Sequence, residues 1–222
     1  MELRFRDLEQ VISHLLCLDA EHAPALNARL KYMIAQGFPP GVRVGKGPKV
    51  GYDFDMMSQM ALAFVMLDNG QNPSTAIQVI TSAWPNPLRF AWSKAWKEKK
   101  TLADDPDMFY FQTRHLDRWK NIPSLVTVAF YGSCPASKLG FEIAHPANES
   151  LPFLRNSTNH GVINISTVAR LVRDAIATVR PGMEVDADSD AYDIFTEEHA
   201  KFLEKQREMD EYDQAMRELR DQ

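Results

Sequence analysis

Apolar residues recur at spacings of three and four from the start of the chain. Leu8, Val11, Ile12, Leu15 and Leu16 form one stripe, which predicts a first core helix from about Asp7 to Cys17. Asp19 and Glu21 then supply capping chemistry for a second helix, from about His22 to Gln36, with Leu26, Leu30, Met33 and Ile34 on its buried side. Gly37 can end that helix in a left-handed conformation, and Pro39-Pro40 forbids its continuation. Two short helices joined by a few residues make a helix-turn-helix candidate.

The period then changes. Val42 and Val44 alternate with Arg43, Val50 precedes Tyr52 by two, and Gly45, Gly47 and Pro48 sit between them as turn formers. That pattern predicts a small hairpin with Lys46 and Lys49 at its tip. Asp53 or Asp55 can cap a third helix holding Met56, Met57, Met60, Ala61, Phe64 and Leu67, stopped by Asn69-Gly70. Asn72-Pro73 starts a fourth, with Ala76, Ile77, Val79 and Ile80 as its apolar content. From Trp84 to Lys100 the chain is basic and aromatic, a fifth helix in which Phe90 and Trp92 or Trp96 pack on the preceding elements.

Asp104-Asp105-Pro106-Asp107 marks an expected boundary. Beyond it, Leu125–Phe130 and Gly161–Ile165 read as strands, and Ser166 or Thr167 caps a helix carrying Val168, Ala169, Leu171, Val172 and Ile176 up to Pro181-Gly182. Residues 183–194 read as an acidic linker. Phe195–Leu219 reads as a charged helix, either a weak dimerising one through Phe202, Met209, Tyr212, Met216 and Leu219 or a solvated tail. The expected fold is therefore mainly α with small β. It comprises a winged helix-turn-helix with its following basic helix over residues 1–100, a small α/β module over 108–182, and the acidic linker and charged helix over 183–222.

The order helix, helix, wing, helix, helix resembles the DNA-binding domain of MerR-type transcription regulators. Lys31-Tyr32 stands where that family ends its second helix with a basic residue and tyrosine, and Gly37-Phe38-Pro39-Pro40 matches its entry to the wing. Tyr52-Asp53-Phe54-Asp55-Met56-Met57 fits the end of the wing, and Leu67-Asp68-Asn69-Gly70-Gln71-Asn72-Pro73 fits the turn between the third and fourth helices. Met33 replaces the family's usual second aromatic, and no long dimerisation helix follows the fourth helix. The resemblance covers about residues 7–83 and implies the domain alone.

Composition adjusts this picture. The chain has 222 residues and is 45% hydrophobic, enough for a core of ordinary size. No run of about 18 apolar residues occurs, and MELRFRDLEQ has charges where a signal peptide would need an apolar stretch, so a cytoplasmic protein is expected, and the MerR resemblance implies a bacterial-type, nucleoid-associated one. The formal net charge of −5 is unevenly spread. Residues 1–100 carry 12 Lys/Arg against 9 Asp/Glu, whereas residues 183–222 carry 5 against 14. Charges farther apart than roughly 8 Å are largely screened at physiological salt, so the acidic end does not veto DNA binding by the basic head.

Arg43, Lys46 and Lys49 suit phosphate or minor-groove contacts from the wing. Asn27, Arg29 and Lys31 suit base reading from the second helix, with the Tyr32 hydroxyl able to meet a phosphate. Other chemistry reads more blandly. Cys134 with His145 or His160 could make a thiol nucleophile, but GSCPAS has turn composition and reads as a plain loop thiol. His14 and Cys17 are two ligands at most, and Asp186, Asp188 and Asp190 lack the glycine and distal glutamate of a calcium loop. Phe109-Tyr110-Phe111 with Trp119 could line a pocket for a small-molecule or protein effector, although such residues are more often core. The expectation is a DNA-binding transcriptional regulator, not an enzyme, with no cofactor or metal, acting on double-stranded DNA as a homodimer. The alternatives are a phage or plasmid DNA-architecture protein, excisionase-like or for packaging, and a protein-interaction adaptor.

Overall fold

Local chemistry starts most of the helices where the sequence places them. A computed structural model describes residues 2–42, 51–99, 104–112, 131–139 and 160–183. These all belong to one compact unit, Met1–Ala187. Helix α1 is Phe5–Leu15, α2 is Ala23–Ala35, α3 is Phe54–Asp68, α4 is Pro73–Ala83, α5 is Arg89–Glu98 and α6 is Ile165–Val179. The strands are β1 (Asp107–Gln112), β2 (Tyr131–Pro135) and β3 (His160–Asn164). The described residues are thus mainly helical with a small antiparallel sheet of order β2-β1-β3. None of their helices is long and apolar enough to cross a membrane.

Asp53, not Asp55, caps α3, its Oδ1 accepting from the Met56 amide at 2.8 Å. Asn72 caps α4 through the Thr75 amide at 2.9 Å, with Pro73 at the first position where no amide is needed. Two expected caps are corrected. Neither Asp19 nor Glu21 caps α2, because the helix is entered through a 3-10 turn, Ala20–His22, whose Ala20 carbonyl accepts from the Ala23 amide. Nor does Ser166 or Thr167 cap α6. Asn164 does so, accepting from the Thr167 amide at 2.9 Å, and Ser166 Oγ accepts instead from the Asp107 amide at 3.0 Å.

The fifth expected helix begins as a π turn, Trp84–Leu88, closed by the Arg89 amide donating to the Trp84 carbonyl. Prolines 85 and 87 have no amide to give to the ordinary ladder, and the wider turn accommodates them. Beyond it Trp92 and Trp96 are buried, and Phe54 meets Trp96 edge-on at 4.9 Å.

The central layer is α3, apolar on nearly every side and buried from Met57 to Phe64, as a helix surrounded by others must be. Buried residues on both sides of 104–107 belong to one core: Leu8, Ile12, Leu30, Met60, Ile80 and Trp92 share it with Phe109, Ile163, Val172 and Ile176. Helix α6 accomplishes this by packing against both α1 and α5. A boundary drawn between 100 and 108 therefore does not separate two cores among the described residues.

Phe109 and Phe111 face that core from β1, and Tyr110 on the opposite face of the strand is also buried. Gly161 lies opposite Phe111, where a Cβ would come within 2.3 Å of the ring, so the strand pair leaves room only for glycine. The aromatic run is core, and the expected effector pocket at Phe109–Phe111 is corrected accordingly. Cys134 is also corrected: it is a buried residue of β2, opposite Met108, and not a loop thiol. The hairpin residues 43–50, the strand expected at 125–130, Trp119, His145, the acidic linker and the helix expected at 195–219 lie outside the described residues.

Candidate nucleic-acid interface

Helix α2 buries Leu26, Leu30 and Met33 against the rest of the core. At about 100° per residue, Asn27 and Lys31 fall to one side of that stripe, and Arg29 and Tyr32 to the other. Their surroundings differ. Asn27 Nδ2 donates to Glu9 Oε1 of α1 at 2.8 Å, a half-buried bond that holds the two helices together. That bond engages the Asn27 amide nitrogen within the protein. Lys31 and Tyr32 are exposed, Tyr32 by 47%, the largest exposure among the described large apolar side chains. Arg29 is exposed and borders a groove that also contains Asp68.

The C-terminal end of α2 fixes the path of the next residues. Gly37 adopts φ +76°, a conformation other side chains rarely take, and the Phe38 amide donates back to the Met33 carbonyl at 3.1 Å. Phe38 is then 1% exposed, and the Val42 amide donates to the Pro39 carbonyl at 3.1 Å. Gly41, at φ +91°, leaves room for the Met56 side chain of α3, which an added Cβ would meet at 2.9 Å.

On the far side of residues 43–50, Tyr52 pairs with Leu3 in an antiparallel bridge. The Leu3 amide donates to the Tyr52 carbonyl at 2.9 Å, and the Tyr52 amide to the Leu3 carbonyl at 2.7 Å. Leu3 and Tyr52 are both buried, and burial pushes the Tyr52 phenol above its ordinary pKa. Asp53 caps α3 immediately afterwards. Val42 and Tyr52, which flank the segment 43–50 with its Arg43, Lys46 and Lys49 and no acidic residue, are thus both buried and hydrogen-bonded. The three cations themselves lie outside the described residues.

A second feature of this end of the molecule gives no signal in the sequence. Leu26 and Phe64 floor a groove of about 290 Å³, and half-buried Leu16, Leu18 and Leu67 wall it. In the sequence these are apolar positions and nothing more, because a helical period shows that a residue is apolar and not whether its partner covers it fully. Among the described residues no group of three His, Cys, Asp or Glu side chains could hold a metal ion.

No protein-family model matches this chain, and no curated protein matches it.

Proposed function

We propose that the chain binds duplex DNA through the exposed face of α2 and the basic segment 43–50, as a transcriptional regulator with a MerR-like winged helix. The observation that carries the reading is the pair of buried, hydrogen-bonded positions on either side of the basic segment. Three cations without an acid lie in sequence between buried Val42 and Tyr52 of the Leu3–Tyr52 bridge. Anchored ends reduce the chain entropy lost when a basic loop settles on phosphate, so the same three charges bind more strongly than on a free tail. In this reading Arg43, Lys46 and Lys49 meet the backbone, and Lys31 and Tyr32 extend the contact from α2. Arg29 borders it, and Asn27 acts through its bond to Glu9 by fixing the angle of α2 on α1. A second protomer would supply the other half-site, as symmetric operators require.

The test is a titration of the full chain with a fluorescent duplex at two salt concentrations. Binding should weaken steeply with salt, and Arg43→Ala, Lys46→Ala and Lys49→Ala together should flatten the slope by roughly 0.9 for each phosphate contact removed. Lys31→Ala should weaken binding independently of the triple change. No binding at the lower salt would overturn the reading. If these substitutions leave DNA affinity intact, the surface serves another class of partner, as an adaptor would use it.

A further inference from the structure

The groove beside α2 has the makings of a small-molecule site. Its floor and walls are apolar, yet it holds two exposed groups of opposite charge, Arg29 on α2 and Asp68 at the end of α3. Among the described residues neither makes an ion pair, with the other or with any third group. Ion pairs form elsewhere in the fold, Arg89 with Asp55 at 3.0 Å and Arg180 with Asp7 at 2.7 Å. A volume of about 290 Å³ lies at the small end of ligand clefts. It suits a compact body with one or two polar ends.

We propose that this groove binds a small amphipathic zwitterion, of the class of the apolar α-amino acids. The ligand's carboxylate pairs with Arg29 and its ammonium with Asp68, and its apolar side chain lies over Leu26 and Phe64. Charge complementarity selects this occupant over two simpler ones. A plain carboxylate such as a fatty acid would pair with Arg29 and leave Asp68 unmatched, and a plain amine would pair with Asp68 and leave Arg29 unmatched. A zwitterion satisfies both groups, and guanidinium–carboxylate pairing contributes the stronger, oriented contact. His22, which also lines the groove, already lies 3.7 Å from Glu21 and is not needed for the match. The proposal does not depend on DNA binding, because it concerns only the groove and a ligand titrated alone.

The experiment is calorimetric titration of the full chain with L-leucine and L-phenylalanine. The comparison ligands are 4-methylpentanoate, which lacks the ammonium, and 3-methylbutylamine, which lacks the carboxylate. At least one amino acid should bind saturably, and each comparison ligand should bind at least about tenfold more weakly than leucine or phenylalanine. Arg29→Gln should weaken the amino acid and abolish its advantage over the amine. Asp68→Asn should weaken it and abolish its advantage over the acid. Both residues are exposed, and unchanged thermal melting would show that the variants remain folded. The proposal is overturned if neither amino acid binds, if all four ligands bind alike, or if binding persists unchanged in both variants. A failed DNA titration leaves these outcomes unaffected, and their failure leaves the DNA reading standing.

Discussion

Lys94 and Asp107 join the last helix of the first hundred residues to the first strand of the sheet, and removing the lysine is the sharpest test of the shared core. Lys94 Nζ lies 3.0 Å from Asp107 Oδ1, with the lysine side chain 25% exposed and the aspartate side chain 6% exposed. Lys94→Met keeps the packing stem of the lysine but removes its ammonium from a buried carboxylate. Removing one partner of a buried pair costs roughly 3–5 kcal/mol, and the partial exposure of Lys94 lowers this to about 2–4 kcal/mol. Asp107→Asn should cost less, about 1–2 kcal/mol, because the ammonium left behind can turn to water.

The asymmetry is the physical content of this prediction. A solvated surface pair would cost about 1 kcal/mol at most from either side. Urea unfolding read by tryptophan fluorescence, with Trp92 and Trp96 both buried in α5, measures each variant and the double variant. Lys94→Met should lower the melting temperature by about 4–16 °C for a chain of this size, and the cycle should show coupling of about 1–3 kcal/mol. The reasoning is refuted if Lys94→Met costs no more than Asp107→Asn. It is equally refuted if the tryptophan transition is untouched while a separate transition moves, since α5 would then unfold independently of the sheet.

Asp7→Asn should show a stability loss that depends on pH. Burial alone would raise the Asp7 pKa, but hydrogen bonds from Arg180 at 2.7 Å and the Arg4 amide at 2.9 Å, with both charges, outweigh it and hold the carboxyl below its ordinary value. The contribution of a group with a depressed folded pKa is present above its unfolded value and is lost as the pH falls through the folded one, so wild type and variant should differ at pH 7 and converge in acid. Equal stability at pH 7, measured by urea unfolding, would contradict this. Ending the chain after Ala187, the limit of the compact unit, removes 12 Asp/Glu and 5 Lys/Arg and takes the formal net charge from −5 to +2. Binding to random duplex should then tighten, and anisotropy showing equal or weaker affinity would rule out electrostatic suppression by this segment.

The elements legible from the sequence are those whose signals are local. The stripe Leu8–Leu15, the caps Asp53 and Asn72 and the stop at Gly37 act within one or two helical turns, so α1 to α4 lie close to their expected places. Strand β1, DMFYFQ, is hidden in the sequence because it is buried on both faces and shows no alternation. Strand β2, YGSCP, reads as a turn by composition and becomes a strand only through pairing with β1. Helix α6 displays its own apolar stripe, but nothing in that stripe says that it will pack against α1 rather than close a separate module. At the candidate interface the cations are visible as residue types. The bond from Asn27 to Glu9, spanning 18 positions, and the open groove are not, because both depend on how helices meet.

Helix α2 consequently has three different sides, and their arrangement bears on how a ligand could act on DNA binding. One side is tied to α1 by Asn27, the exposed side presents Lys31 and Tyr32, and the third borders the groove through Arg29. The groove's opposite wall is α3, whose first turn is capped by Asp53 directly after the Tyr52 anchor of the basic segment. A zwitterion bridging Arg29 and Asp68 would thus tie the third side of α2 to α3, leaving the exposed side open to DNA. It changes DNA affinity only to the extent that it binds the DNA-competent arrangement of these helices differently from the alternative. By linkage DNA must then change the ligand's affinity by the same factor. If α2 and α3 already occupy one rigid arrangement in the shared core, that factor is one, and the groove would bind its ligand without acting as a switch.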